Sequence, residues 1–158
     1  MRSSANLDPA RDRELIADFF EPYAAALADQ VDARLAATGR AMILDVHSYP
    51  RDPLPYELHQ SDARPEICLG VDETHTPGWL VDAARSALEA LGEVKVNQPF
   101  RGTYVPLRHY GTDVRVSSLM LEIRRDVYGA GEGAAEASRV RELGDAIASV
   151  VEAIDAAR

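Results

Sequence analysis

The chain has 158 residues, enough for one domain with a sizeable core, and a formal net charge of −9 at pH 7. That charge argues against nucleic acid and anionic membrane surfaces as partners, because binding phosphates needs Lys and Arg to displace counterions. Cys68 is the only cysteine, which excludes an internal disulfide, and no apolar run reaches the length of a membrane span. We expect a cytoplasmic protein with one domain over residues 1–158.

The N-terminal part of the chain predicts a helix followed directly by a buried strand. Asp8 and Pro9 suit an N-cap and a first helical residue. Pro22 should kink or restart the helix, and Gly39 should end it. The apolar run of residues 41–46 then predicts a strand. Between these points apolar residues recur every four positions, which predicts one inward helix face: Leu15, Phe19, Tyr23, Leu27, Val31 and Leu35.

The remainder of the chain alternates strands, helices and irregular segments. Irregular segments are predicted at residues 49–65, 98–113 and 129–133. This order predicts an α/β fold, a three-layer sandwich in which helices flank both faces of a parallel or mixed central sheet. The regular elements predicted here are strands at 66–71, 93–97 and 115–124, and helices at 77–91 and 134–157.

Polar residues of catalytic type stand at the end of the first strand, where open α/β sheets usually place their sites. His47 suits a metal ligand, a general base, or a strand-end residue satisfied by the backbone. Asp45 shares its strand face if the strand continues that far, so its carboxylate could orient the imidazole. Ser48 lacks the Gly-x-Ser-x-Gly elbow and is not predicted to be a nucleophile.

A second candidate is Glu122, which interrupts an apolar strand. A carboxylate on the interior of such a strand needs a partner, a metal or a catalytic role. Burial would raise its pKa, as a general base near neutral pH requires. The alternative is an ion pair with Arg124 or Arg115.

The other polar motifs have ordinary explanations beside functional ones. The side chains of residues 72–75 (DETH) can bind metals, but they precede a helix that a proline begins, so capping and turn roles explain them. His59 lies in a proline-rich segment and is predicted to be solvated. The glycine run 129–133 is predicted to be a linker, because a dinucleotide loop needs a following strand. Arg101 and Arg108 suit carboxylate recognition, with surface charge as the alternative.

Six segments in order resemble the N-formylglutamate amidohydrolase family, and the resemblance extends over about residues 14–155. It implies a fold related to the zinc carboxypeptidases, in the phosphorylase/hydrolase-like group. The segments are FEPY (20–23), LDVHSYP (44–50), ICLG (67–70), VNQPFRG (96–102), RHYG (108–111) and LEIRRDVY (121–128).

The resemblance also implies an activity and a set of site residues. Family members hydrolyse an N-acyl amide, typically N-formyl-L-glutamate to formate and glutamate in histidine breakdown. By resemblance His47 matches a zinc ligand, and Glu122 matches the carboxylate that activates metal-bound water. We expect Asp45 and Ser48 to lie behind His47 and support it. The residues expected to contact the carboxylates of this small-molecule substrate are Asn97, Arg101 and Arg108.

One departure from the family pattern changes the expectation for this chain. The family places a His and an acidic zinc ligand in a segment ahead of the matched region, and residues 1–13 contain no His. We therefore expect weak zinc binding and little amidase activity from the chain alone. The alternative function is a non-catalytic or incomplete member that binds an acidic amino-acid derivative or completes its site with another chain. A homodimer could cover an exposed sheet edge.

Overall fold

The N-terminal helix is interrupted just before Pro22, as the presence of that proline predicted. The computed structural model describes residues 8–57, 64–129 and 135–157. Helix α1 (Pro9–Leu15) is capped by Asp8, whose carboxylate accepts a hydrogen bond from the Ala10 amide at 3.0 Å. A π-helical turn (Ile16–Phe20) joins it to α2 (Glu21–Thr38), which has Pro22 in its first turn, where a missing N–H is tolerated. Gly39, with φ 73°, ends α2.

The apolar stripe predicted along this helix is buried only in its second half. Val31 is 4% exposed, whereas Phe19 and Tyr23 are 70% and 67% exposed. The prediction of an inward face is therefore wrong for the first half of the stripe. Periodicity identifies which residues share a helix face, but here no described element covers that face ahead of the middle of α2.

The central sheet is mixed. Its strands are β1 (Ala41–Tyr49), β2 (Ile67–Gly70), β3 (Val94–Val96) and β4 (Val116–Arg124), in the order β1-β4-β2-β3. Strand β1 is parallel to β4, β2 is parallel to β3, and β2 is antiparallel to β4. Each predicted strand is present. Strand β1 continues to Tyr49, beyond the predicted end at Val46, because its pairing with β4 continues to Arg124.

Helices flank both faces of this sheet, which confirms the predicted three-layer α/β fold. Helix α3 (Gly78–Leu88), a 3₁₀ turn (Glu89–Leu91) and helix α4 (Ala137–Ala156) accompany the face that carries the main core. Helix α2 packs on the opposite face. In the described part of the chain no helix combines the length and apolar character that crossing a membrane requires. The fully buried members of the main core are Ile67, Leu69, Leu80, Ala84, Leu88, Leu119, Leu121 and Val150.

Helix α2 covers only the amino-terminal end of its sheet face. Its core contacts join Val31 to Ala41 and Val116, at the first positions of β1 and β4. Side chains on that face alternate along each strand, so the part of the face beyond α2 carries Asp45, His47 and Glu122. Asp45 and Glu122 are partly buried there, and His47 is exposed.

Candidate active site

The centre of the candidate site is a pair of residues on adjacent parallel strands. His47 of β1 and Glu122 of β4 are direct partners in the register. Partners in a parallel pair project from the same sheet face, so the imidazole and the carboxylate lie side by side. Glu122 is partly buried and His47 is exposed, which places the pair at the rim of the sheet.

Asp45 orients the His47 ring. The Asp45 Oδ1 atom lies 2.8 Å from His47 Nε2, and the two residues are alternate positions of the same strand. A carboxylate in this position fixes the ring orientation and favours a proton on Nε2. The Nδ1 atom is then the ring nitrogen left for a ligand or a substrate.

Glu122 has the environment of a base. Its Oε2 atom is buried and has no hydrogen-bond partner among the described residues. Burial raises the pKa of Glu122 above its ordinary value. The nearby Asp45 carboxylate adds to the rise, while His47 and Arg125 oppose it. A carboxylate held this way accepts a proton more readily than an exposed one.

The ion pairs considered as alternatives for Glu122 are not formed. Arg124 projects from the same strand but bonds Glu66 and Asp126. Arg115 makes two hydrogen bonds to the carboxylate of Asp113, at 2.9 and 2.7 Å. The two arginines are therefore engaged elsewhere, and neither forms an ion pair with Glu122.

A loop after β3 forms the neighbouring wall of the site. Cys68 of β2 is the register partner of Glu122 on its other side, and its thiol donates to the Phe100 carbonyl at 3.2 Å. The Asn97 side-chain oxygen accepts hydrogen bonds from the Val71 amide at 2.9 Å and the Gly102 amide at 3.2 Å. Asn97 was predicted to contact substrate, but this oxygen is committed to holding the loop.

A glycine lets this loop cross the sheet closely. A Cβ atom at Gly70 would overlap the Gly102 carbonyl oxygen and the Met120 side chain. Only a residue without a side chain permits that approach. The close crossing holds the loop that carries Arg101 against the end of β2, beside Cys68 and Glu122.

Ser48 does not lie behind His47, contrary to the prediction. Alternation along β1 places Ser48 on the sheet face opposite to Asp45 and His47. Its exposed hydroxyl accepts a long hydrogen bond, 3.4 Å, from Nε of Arg125. The expectation that Ser48 supports His47 is therefore corrected. Strand β1 simply continues through Ser48, so neighbours in sequence point to opposite sides.

The two arginines predicted to bind substrate have different surroundings. Arg108 pairs with Asp29 and Asp32 of α2, so its guanidinium secures the irregular segment to that helix. The role of Arg108 in substrate binding stays a prediction. Arg101 is exposed, and no hydrogen bond or ion pair to another described residue is formed by it. It remains a predicted substrate contact.

The remaining described histidines are structural. His75 is 1% exposed, with Nδ1 bonded to the Val116 carbonyl at 2.8 Å and Nε2 accepting from the Gly111 amide at 2.8 Å. His109 lies between Asp32 at 2.8 Å and Asp113 at 3.6 Å. Both rings therefore use both nitrogens. His59 and residues 130–133 of the predicted linker lie outside the described residues.

Sequence reasoning overlooked Arg125. It begins the 3₁₀ turn (Arg125–Val127) directly after β4, and its side chain reaches the carboxyl end of β1 at Ser48. The sequence feature that could have drawn attention to it is the arginine pair Arg124–Arg125, which follows Glu122 closely. Residues just after a strand lie at the edge of the sheet.

Comparisons with known proteins identify the family of this chain. The sequence profile of the N-formylglutamate amidohydrolase family matches residues 2–129. The chain belongs to the N-formylglutamate amidohydrolase family. Comparison with curated protein sequences gave no significant match.

A solved structure shares the fold of this family member. The crystal structure of N-formylglutamate amidohydrolase from Ralstonia eutropha JMP134 superposes with a TM-score of 0.69 at 24% sequence identity. The match covers 90% of this chain and 52% of that chain. The chain therefore spans about half the length of that relative, and the likeness establishes the fold.

The zinc that the family resemblance implies can be tested against the residues present. Catalytic zinc sites use three protein ligands. The described residues contain no group of three or more His, Cys, Asp or Glu side chains placed to hold a metal. His47 supplies one imidazole, and His75 and His109 are already committed. The described part of this family member does not by itself form a zinc site.

Proposed function

We propose that the chain hydrolyses the formyl amide of an acidic amino acid, with N-formyl-L-glutamate as substrate and Glu122 as general base. The observation that carries the proposal is the Glu122 carboxylate: it is buried at Oε2, unpaired among the described residues, and raised in pKa. It lies beside the Asp45–His47 pair on the same sheet face. Membership of the family supplies the reaction class.

The proposed reaction needs a water molecule and a group that moves protons. Glu122 takes a proton from the water as its oxygen attacks the formyl carbon. The same carboxyl then gives the proton to the amide nitrogen as the C–N bond breaks, which yields formate and glutamate. A base with a raised pKa suits both steps, because it holds the proton without releasing it to solvent.

His47 has a separate role in the proposal. Its imidazole, oriented by Asp45 at 2.8 Å, is the one zinc ligand we assign among the described residues. The described residues do not complete a zinc site by themselves. Further ligands would come from residues outside the described ranges.

The second candidate function is binding without turnover. The incomplete ligand set among the described residues favours it. Such a protein would hold an acidic amino-acid derivative at the same end of the sheet, and Glu122 would then have no effect on any reaction.

The experiment that separates the two is formate release from N-formyl-L-glutamate, measured on the purified chain with zinc supplied in increasing amounts and again with chelator. Turnover supports the proposed function. Binding of N-formyl-L-glutamate by calorimetry without formate release at any zinc concentration would support the second candidate and contradict the first.

A further inference from the structure

A second cleft lies at the end of the sheet opposite to the candidate active site. It is lined by Ala41 and Ser117, near the amino ends of β1 and β4, whereas Asp45, His47 and Glu122 stand towards the carboxyl ends of these strands. The cleft has a volume of about 90 Å³, and roughly 10–15 Å³ is enough for one water molecule. It therefore has room for a group of several atoms.

The cleft is basic, although the chain as a whole is acidic. Three arginines line it: Arg34 of α2, Arg40 directly ahead of β1, and Arg115 directly ahead of β4. The acidic residue in the lining is Asp155, near the end of α4. The net charge of −9 is spread over the chain, and salt screens exposed charges more than about 8 Å away. An anion in the cleft therefore experiences mainly the three guanidinium groups.

The three guanidinium groups keep donors that no described residue uses. The Arg34 side chain forms no hydrogen bond or ion pair with another described residue. Arg40 donates from Nη1 to the Ala157 carbonyl at 3.2 Å. Arg115 directs Nε and Nη2 to the Asp113 carboxylate, at 2.9 and 2.7 Å, and keeps Nη1. An anion in the cleft would thus find donors without displacing a contact within the described part of the chain.

Another wall of the cleft is apolar and aromatic. Met42 and Ile154 contribute aliphatic side chains, and Trp79 stands in the first turn of α3. The Trp79 residue is 42% exposed. A partly exposed indole offers a flat surface on which another ring or an apolar group can pack. The lining therefore suits a ligand with an anionic group at one end and an apolar body at the other.

We propose that this cleft binds a small phosphomonoester, with its phosphoryl group held by Arg34, Arg40 and Arg115 and its organic part against Trp79. A phosphoryl group carries a charge of about −1.5 to −2 near pH 7 and offers three acceptor oxygens. A carboxylate has one negative charge and is satisfied by a single guanidinium fork. Three guanidinium groups around one small cleft therefore match the phosphoryl group better. The cleft shares no lining residue with the candidate active site, so the inference is independent of the proposed function.

The cleft carries its own spectroscopic reporter. Trp79 is the only tryptophan of the chain, so tryptophan fluorescence reports on this cleft. The full chain is titrated with phenyl phosphate, inorganic phosphate and phenol, and titration calorimetry measures the same affinities independently. We expect a saturable fluorescence change with phenyl phosphate, a lower affinity for inorganic phosphate, which lacks the ring, and the lowest affinity for phenol, which lacks the charge.

Substitutions locate the binding site. Arg34→Ala should weaken the binding of phenyl phosphate about 10- to 100-fold, the usual loss for a charge-assisted hydrogen bond. Arg34→Lys keeps the charge and should lose less. Neither substitution removes a side-chain bond to another described residue, so both variants should fold. The matched control is Arg141→Ala, at an exposed arginine of α4 outside the cleft, which should bind as the parent does.

Four results would overturn the inference. They are the absence of saturable binding of phenyl phosphate by the parent, equal affinities for phenyl phosphate and phenol, an affinity that Arg34→Ala leaves unchanged, and an equal loss in Arg34→Ala and Arg141→Ala. Formate release is not part of this test, so failure of the proposed function would leave its outcome unaffected.

Discussion

His47 and Glu122 are register partners on the parallel strands β1 and β4, although they lie 75 positions apart in the chain. The strands between them in sequence, β2 and β3, lie beyond β4 in the sheet. The direct pairing brings an imidazole and a carboxylate to one face at the carboxyl ends of these two strands.

Replacing Glu122 by Gln should stabilise the fold at alkaline pH. The folded state raises the pKa of Glu122, so the folded protein binds this proton more tightly than the unfolded chain. Stability therefore falls as the pH rises through the ordinary Glu pKa of about 4.3 and the higher folded value. Glu122→Gln removes that loss. We expect its Tm to exceed that of the parent at pH 8 and the difference to shrink towards pH 4, both measured with chelator. If the Tm of Glu122→Gln at pH 8 were lower than that of the parent, the ionised Glu122 carboxylate would not be destabilised in the folded state.

The pH dependence of kcat/KM should respond in opposite directions to the loss of Asp45 and to the loss of Arg125, two of the neighbours that act on the pKa of Glu122. A base must be deprotonated, so the rate should rise with pH through the pKa of Glu122, which lies above its ordinary value. Asp45 raises that pKa, so Asp45→Asn should shift the acidic limb to lower pH. Arg125 lowers it, so Arg125→Ala should shift the limb to higher pH. If the acidic limb of the pH profile kept its position in both variants, the limb would report the titration of a group other than Glu122.

His75→Ala should weaken the fold without affecting metal content. The buried ring bonds the Val116 carbonyl and the Gly111 amide, and its removal leaves both backbone groups unsatisfied. Each such group costs about 1–3 kcal/mol, so urea unfolding should show a loss of about 2–6 kcal/mol. Zinc per chain, measured with the metal supplied, should match that of the parent. A drop in zinc with unchanged stability would make His75 a ligand.

Gly70→Ala should displace the loop after β3. The added methyl group meets a backbone carbonyl at Gly102, which cannot rotate away as a flexible side chain could. Overpacking of this kind costs about 1–3 kcal/mol, and KM for N-formyl-L-glutamate should rise because the loop carries Arg101. The matched control is Gly144→Ala in α4, where a Cβ meets nothing within 4 Å. That change should be neutral or stabilising by about 0.5–1 kcal/mol. Equal stability of the two variants would show that the loop has room to move.

The local rules of the sequence account for much of this fold. Alternation along β1 predicts that Asp45 and His47 share a face, and their side chains do lie 2.8 Å apart. Pro22 and Gly39 mark the restart and the end of the helix as expected. Each of these outcomes depends on residues within a few positions, which is the range over which backbone geometry is fixed.

Contacts between distant segments could not be predicted in the same way. Arg108 pairs with Asp29 and Asp32 only because the irregular segment folds against α2. The order of the strands depends on which pairs of faces pack best across the whole chain, so the β1–β4 pairing was not available from the sequence. For the same reason the contact between Arg125 and Ser48 could not be predicted, because it follows from the β1–β4 pairing.

The most direct test of Glu122 as the base is the rate of formate release from N-formyl-L-glutamate by the parent, Glu122→Gln and Glu152→Gln. Glu152 is an exposed carboxylate of α4 and controls for the loss of a charge. We predict that Glu122→Gln lowers kcat by roughly 10²–10⁴-fold with little change in KM, while Glu152→Gln matches the parent. Turnover by Glu122→Gln at the parental rate would contradict the account.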